Sequence, residues 1–201
     1  MLPRAFARRI SEYRAQQIYE RDIHSVYLKE RLAQFTDTSS PQVPTSARSF
    51  LFVCYGNIMR SPMCEALMRR STADRGKYFR VISAGLNAEP GRRAHPWAIS
   101  SAVKFGISLE QHCARALTSE MVEQADLIFA MDLQNRVELL SRFPRAKEKL
   151  FLLGMFREPD SDGIEIHDPY YLGEDATQHC YQVLDTCIRN LAFRIPLALT
   201  N

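Results

Sequence analysis

The sequence has no long apolar run and little net charge. No stretch of its 201 residues reaches the ~18 consecutive apolar residues of a membrane-spanning helix, so no membrane span is expected. The Arg-rich N-terminal residues also lack an apolar run of about 7–15 residues, so no secretory signal is expected there. The 26 basic and 23 acidic side chains nearly cancel, which argues against a nucleic-acid partner.

Closely spaced cysteine pairs are also missing. The chain has five cysteines, and no two of them form a C-x-x-C pair. With no export signal expected, we interpret them as reduced thiols of a cytoplasmic protein rather than as a disulfide framework. Neither a structural zinc site nor any other metal site is expected.

What is present divides the chain into two parts. Residues 4–35 contain apolar side chains at spacings of three and four, which predicts a partly amphipathic helix. A polar, Pro-containing linker follows over residues 36–46. Residues 1–48 carry 8 basic and 5 acidic side chains, which accounts for the whole basic excess. We therefore expect a basic helical extension and linker over residues 1–47, and a globular domain over residues 48–201.

The second part alternates short apolar runs with helix-like stretches. The runs are Phe50 to Val53, Tyr78 to Ile82, Asp126 to Met131 and Lys149 to Leu153. The helix-like stretches are Pro62 to Ala73, Pro96 to Phe105, Leu133 to Ser141 and Ala176 to Ile195. This alternation predicts an α/β fold with a four-stranded, parallel, doubly wound sheet flanked by helices. Such sheets bind ligands beyond the carboxyl ends of their strands.

The loop after the first predicted strand has the composition of an anion site. Cys54 ends the strand, Gly56 and Asn57 suit a tight or left-handed turn, and Arg60 and Ser61 lead into a helix. A loop entering a helix N-terminus points backbone N–H groups into one concavity, which suits phosphate-like anions. The same positive environment favours the thiolate form of a cysteine.

The Cys-x5-Arg spacing of Cys54 and Arg60 is a weak signal by itself, because Cys64 and Arg70 have the same spacing. Cys64 lies inside a predicted helix without a preceding strand, so we interpret it as a buried apolar residue. The alternative for Cys54 is a core cysteine at a strand end. The surrounding strand, turn and helix signals favour the anion-binding interpretation.

Five stretches, taken in order, resemble the low-molecular-weight protein tyrosine phosphatase family. They are the loop from Cys54 to Pro62, Ser83 to Leu86, His112 to Arg115, Asp126 to Asp132, and Asp168 to Tyr171. The resemblance covers about residues 49–195 and is closest to the bacterial type. It implies the phosphatase I-like fold and makes residues 48–201 the catalytic domain, with the N-terminal extension outside it.

The resemblance implies hydrolysis of phosphotyrosine monoesters through a phosphocysteine intermediate, with no cofactor. Cys54 would be the nucleophile, Arg60 would bind the phosphate, and Asp168 would be the general acid. The phosphate-binding loop would comprise Tyr55, Gly56, Asn57, Ile58, Met59, Arg60 and Ser61.

Further residues would support the loop and line the cleft. In the family a network fixes the loop, and its equivalents here are Asn57, Ser61, Ser83 and His112. Tyr55, Tyr170 and Tyr171 would line the substrate cleft, although a half-buried tyrosine also has an ordinary structural explanation. Arg92 and Arg93 fall where the family has a variable substrate loop. They either favour acidic residues around the phosphotyrosine or form a solvated charge pair.

Two other functions use the same residues. The related arsenate reductases share the loop but need further redox cysteines, for which Cys113, Cys180 and Cys187 are the candidates. A non-catalytic phosphotyrosine-binding module is the other alternative. Many family members also have a second cysteine before the loop arginine, and Met59 stands at that position here.

The expected partner is a phosphotyrosine protein. Some bacterial members act on tyrosine kinases of exopolysaccharide export, so the resemblance makes a bacterial tyrosine kinase a candidate substrate. The N-terminal extension is expected to mediate self-association or partner docking, unless it is a loosely packed, solvated helix.

Overall fold

The computed structural model describes residues 43–73, 79–157 and 163–195, and the helix predicted over residues 4–35 lies outside them. Within these ranges strands and helices alternate, as the sequence predicts. In chain order they are β1 (Ser49–Cys54), α1 (Arg60–Ala73), β2 (Arg80–Gly85), α2 (Pro96–Val103), α3 (Ser119–Gln124), β3 (Leu127–Ala130), α4 (Leu133–Arg142), β4 (Leu150–Leu152) and α5 (Glu174–Arg194). Short 3-10 segments flank β4 over Pro144–Lys149 and Leu153–Phe156.

The strands form one parallel sheet in the order β2-β1-β3-β4, which confirms the predicted architecture. Strand β2 pairs with one edge of β1, and β3, which comes later in the chain, pairs with the other edge. The carboxyl end of β1 is therefore the point at which the strand order reverses, where doubly wound sheets bind their ligands. Cys54, the last residue of β1, lies at this point beside Gly85 of β2.

Two elements differ most from the prediction, while the other predicted elements have bounds within one or two residues of those observed. The second strand begins at Arg80 and continues to Gly85, because the small residues after Ile82 pair with β1 up to Cys54. Helix α3 was not predicted, since its six residues are too few to show a helical repeat. Thr118 caps the N-terminus of this helix, and its side chain accepts a hydrogen bond from the backbone N–H of Met121 (3.2 Å).

The core explains why β1 is continuously apolar. Phe50, Leu51, Phe52 and Val53 are each at most 1% exposed, as expected for a strand covered on both faces. Phe52 stacks on Phe129 of β3, with ring centroids 5.3 Å apart. Each fully buried side chain of this size contributes about 1.5–3 kcal/mol to folding. On one side of the sheet α5 packs against α1 and α2. Among the described residues no helix is long and apolar enough to cross a membrane.

Gly154 lets the segment before Asp168 approach the 3-10 turn that follows β4. A Cβ atom at this position would lie 2.1 Å from the carbonyl oxygen of Ile164, which is an overlap with backbone. Two residues later the backbone N–H of Ile166 donates to the carbonyl of Met131 (2.8 Å), at the end of β3. The position of the Asp168 segment therefore depends on the absence of a side chain at Gly154.

We predict that Gly154→Ala lowers the free energy of unfolding by about 1–3 kcal/mol, since the added methyl group must push backbone aside. Gly56→Ala is the control, because its Cβ would make only ordinary contact with Ile58 at 3.5 Å. Urea unfolding of both variants measures the difference. Equal losses in the two variants would contradict the predicted close approach.

Candidate active site

The loop from Cys54 to Arg60 curls around the sulfur of Cys54. The backbone N–H of Asn57 donates to Cys54 Sγ at 3.3 Å, and Ser61 Oγ lies 3.0 Å from the same sulfur. Ser61 Oγ accepts a hydrogen bond from Asn57 Nδ2 (2.9 Å), and its own proton can point at the sulfur or at the more distant carbonyl of Ala84 (3.4 Å). Two donors directed at Cys54 stabilise negative charge there.

Asn57 holds the loop in an unusual conformation. Its φ is 52°, in the left-handed region, and it is the one residue other than glycine with a positive φ in the described ranges. Every polar group of its side chain is paired: Nδ2 also donates to Ser83 Oγ (2.9 Å), and Oδ1 accepts from the backbone N–H of Arg115 (2.9 Å). Its carbonyl lies 2.7 Å from His112 Nε2. The structure therefore brings Asn57, Ser61, Ser83 and His112 together in one network.

The contacts of His112 determine which ring nitrogen carries the proton in its neutral form. Burial lowers its pKa, although the hydrogen bond to Asn57 and the charge of Glu65 oppose that shift. A carbonyl can only accept, so a neutral His112 must carry its proton on Nε2 and donate to the Asn57 carbonyl. His112 thus acts as a donor that fixes the loop backbone.

A second layer of this network was missed by the sequence reasoning. Glu65 of α1 accepts hydrogen bonds at Oε2 from Ser83 Oγ (2.7 Å) and Arg115 Nη2 (2.5 Å), and Arg69 pairs with its Oε1 (3.0 Å). Glu65 lies four residues after Ser61, so both face the same side of α1. The sequence shows that spacing, but it does not show that Ser83 on β2 and Arg115 before α3 lie next to Glu65.

Arg60 is a buried cation shared by two carboxylates. It is 1% exposed, and its Nη1 donates to Asp132 Oδ2 (2.6 Å) and to the carbonyl of Ile166 (2.9 Å). Nη2 pairs with Asp168 Oδ2. Burial alone would lower the pKa of Arg60, but the charges of Asp132, Cys54 and Asp168 together raise it. The guanidinium therefore stays charged at the bottom of the cleft.

Asp132 is a further site residue that sequence reasoning missed. It was seen only as the end of the third strand's motif, whereas its carboxylate both pairs with Arg60 and accepts a hydrogen bond from the Asn135 N–H (2.7 Å) at the start of α4. A signal did exist. Asp132 ends the stretch that contains the third predicted strand and lies two residues after β3, and the carboxyl ends of parallel strands meet at one edge of a sheet.

A cleft of about 590 Å³ opens above Cys54 and Arg60. This volume suits a small organic group. Asp168 lies at its edge, where its side chain is 38% exposed. Tyr55 (50% exposed) and Tyr171 (90% exposed) line the cleft with Tyr170, whose ring meets that of Tyr171 edge-on. The cleft also includes polar side chains from the segment after β2 and from α4, namely Asn87, Glu89, Arg92, Gln134 and Asn135.

The remaining cysteines do not line the cleft, whereas Cys54 does. Cys64, Cys180 and Cys187 are buried, and Cys113 is exposed. Burial raises the pKa of Cys180 and of Cys187 to about 12, so neither forms a thiolate at neutral pH. No cluster of His, Cys, Asp and Glu side chains in the described part of the chain could hold a metal ion.

Sequence comparisons identify the class of protein. The family model described as low molecular weight phosphotyrosine protein phosphatase matches residues 49–199. Low molecular weight protein-tyrosine-phosphatase Etp of Escherichia coli (strain K12) is 36% identical over 147 residues, which cover 73% of this chain and 94% of Etp. Wzb of Salmonella typhi is 37% identical over 142 residues, which cover 71% of this chain and 90% of Wzb. The chain belongs to the low molecular weight phosphotyrosine protein phosphatase family.

Solved structures agree. The tyrosine phosphatase Wzb from Escherichia coli K30, in complex with sulphate, is 34% identical with a TM-score of 0.67, covering 75% of this chain and 99% of that chain. The YwlE arginine phosphatase from Geobacillus stearothermophilus is 33% identical with a TM-score of 0.65, covering 73% of this chain and 91% of that chain. The predicted fold and the predicted class of enzyme are confirmed.

We predict that Asp132→Asn lowers kcat/KM for p-nitrophenyl phosphate by about 10–100-fold, because small displacements of a binding group are costly to catalysis. Without the charge of Asp132, Asp168 is the one carboxylate of the described residues that stays paired with Arg60. Steady-state kinetics of the purified variant measures the loss.

Asp185→Asn is the matched control. Asp185 on α5 pairs with Arg70 (3.3 Å) and Arg189 (3.1 Å), and it does not line the cleft. We expect this variant to retain full activity. If both substitutions left kcat/KM unchanged, Asp132 would not position Arg60.

Proposed function

We propose that this chain is a protein tyrosine phosphatase that hydrolyses phosphotyrosine monoesters through a phosphocysteine intermediate. One observation carries the proposal: Cys54, Arg60 and Asp168 line a single cleft, although Asp168 lies 108 residues beyond Arg60 in the chain. The residues around them supply the nucleophile, the charge stabilisation and the proton that the reaction needs.

In the first step the Cys54 thiolate attacks phosphorus. The S–P bond forms as the P–O bond to the tyrosine ring breaks. Asp168 enters this step protonated, after the phosphate has replaced it at Arg60, and gives that proton to the departing phenolate oxygen. Arg60 and the loop N–H groups bind the equatorial oxygens of the phosphoryl group. Arg60 Nε is buried without a hydrogen-bond partner among the described residues, and it lies on the same edge of the guanidinium as Nη2. That edge can bind two oxygens of a phosphoryl group.

In the second step a water molecule attacks the phosphocysteine. Asp168 takes a proton from the water, the P–O bond to the new oxygen forms, and the S–P bond breaks to release phosphate and the Cys54 thiolate. The Ser61 hydroxyl, 3.0 Å from Cys54 Sγ, stabilises the sulfur as it leaves. The two steps together consume one water and need no cofactor.

The aromatic walls support an aryl ester as the substrate. Tyr55, Tyr170 and Tyr171 line the cleft, and aromatic rings favour contact with another ring. The protein substrate to assay first is an autophosphorylated bacterial tyrosine kinase, which is the partner that the resemblance implies. Phosphoarginine must be assayed beside phosphotyrosine, since a YwlE arginine phosphatase shares this fold.

The arsenate reductase alternative is disfavoured by the cysteines. Such a relay needs further reactive thiols after the nucleophile, and Cys180 and Cys187 are buried with pKa values raised to about 12. Cys113 is exposed, but its sulfur lies 3.5 Å from Arg93 Nη1, and it does not line the cleft. These positions support a hydrolase over a redox enzyme.

The test compares the wild type with Cys54→Ser and Asp168→Asn on p-nitrophenyl phosphate, a phosphotyrosine peptide and phosphoarginine. We expect Cys54→Ser to reduce turnover to background, while Cys113→Ser, its exposed control, stays active. Asp168→Asn should lower kcat by about 10²–10⁴-fold on the phosphotyrosine peptide. The loss should be smaller on p-nitrophenyl phosphate, because p-nitrophenolate leaves without needing a proton.

Three outcomes would contradict the proposal. A wild type that turns over no aryl phosphate would indicate a binding module. Faster hydrolysis of phosphoarginine than of the phosphotyrosine peptide would reassign the substrate. Arsenate-dependent oxidation of thioredoxin, lost in Cys180→Ser, would make the chain an arsenate reductase.

A further inference from the structure

Arg92 lies at the mouth of the cleft beside an aromatic wall residue. Its Nη2 donates to the hydroxyl of Tyr170 at 2.9 Å, and its Cζ lies 5.9 Å from the centroid of the same ring. The ring of His95 meets that of Tyr170 edge-on, with centroids 5.3 Å apart. Arg92 therefore places a permanent positive charge where a peptide would leave the cleft.

The backbone of Arg92 is fixed on both sides. Its N–H donates to the carbonyl of Glu89 (3.1 Å), and its carbonyl accepts from the N–H of Ala114 (2.8 Å). The N–H of Gly91 also donates to the carbonyl of Ala114 (2.9 Å). This pairing ties the segment after β2 to the His112 region, which in turn holds the loop at Asn57. The charge is thus held at a defined place relative to Cys54, which reduces the entropy lost on binding.

The guanidinium of Arg92 keeps donors available. One of its N–H groups donates to the Tyr170 hydroxyl. No carboxylate of the described residues lies within ion-pair distance of Arg92, whereas Arg60, Arg69 and Arg115 each have a carboxylate partner. A guanidinium has several N–H donors in a planar fork that matches a carboxylate. Glu89 also lines the cleft, so the charge at the mouth is positive near Tyr170 and negative near Glu89.

Arg93, the next residue, points elsewhere. Its guanidinium bonds to the carbonyl of Glu110 and to the sulfur of Cys113 (3.5 Å), and it does not line the cleft. Sequence reasoning treated the two arginines as one basic pair. The structure separates them into one residue at the cleft and one outside it.

We propose that Arg92 is a specificity-determining residue that binds the carboxylate of an Asp or Glu beside the phosphotyrosine of the substrate. This inference rests on the proposed function. With the phosphate at Cys54 and the ring against Tyr170, the residues next to the phosphotyrosine cross the mouth, where Arg92 is bonded to the Tyr170 hydroxyl. The preferred substrates are then phosphotyrosine sequences with an acidic residue on that side.

The test uses pairs of phosphotyrosine peptides that differ only in Asp or Asn beside the phosphotyrosine, placed before it in one pair and after it in the other. The measured quantity is the ratio of kcat/KM for the Asp peptide to that for the Asn peptide. We expect a ratio of about 2–5 in one of the two pairs for the wild type, since exposed ion pairs are weak. That ratio should approach one in Arg92→Gln and in the wild type at about 1 M salt, where charges are screened within about 3 Å.

Arg93→Gln is the matched control, because it removes the same charge one residue away and should keep the wild-type ratio. Arg92→Glu provides the reverse test: it should favour a Lys peptide over the Asp peptide. An unchanged ratio in Arg92→Gln, or equal changes in Arg92→Gln and Arg93→Gln, would overturn the inference. If the wild type hydrolysed none of these peptides, the proposed function itself would fail.

Discussion

The buried charge of Arg60 is the constraint on which the site depends. A guanidinium that is 1% exposed is stable only where carboxylates and carbonyls surround it, because an unpaired buried charge costs several kcal/mol. Its partners come from separate parts of the fold: Asp132 follows β3, and Ile166 and Asp168 follow β4. Arg60 therefore has all of these partners only in the folded sheet, and the same contacts gather the nucleophile and the acid around one cleft.

The second constraint concerns the Cys54 loop, whose backbone must stay rigid to bind an anion. Asn57 at φ 52° reverses the chain, and its side chain is held by Ser61, Ser83 and Arg115. Glu65 joins Ser83 and Arg115 behind it. Because the domain carries almost no net charge, anion binding rests on this ordered loop and on Arg60.

The sequence predicted the fold and part of the site, and the limits have a physical basis. The strand, loop and helix around Cys54 are local, so their pattern could be read directly. Asp168 was identified only through the family resemblance, because its distance from Cys54 depends on tertiary structure. Asp132, Glu65 and Arg115 were missed for the same reason, since their roles depend on which strand ends and helix faces meet. Arg92 and Arg93 could not be told apart, because adjacent residues in a loop can point in opposite directions.

The central claim is that Cys54 accepts the phosphoryl group while Asp168 transfers the protons. Trapping of the covalent intermediate tests this claim most directly. In Asp168→Asn, p-nitrophenyl phosphate should still load the enzyme, but the water step should slow. Rapid denaturation at neutral to alkaline pH, which preserves the S–P bond, followed by peptide mass spectrometry should then find one phosphoryl group on the peptide that contains Cys54. A phosphoryl group on another residue, or release of phosphate with no covalent intermediate at any time, would contradict this mechanism.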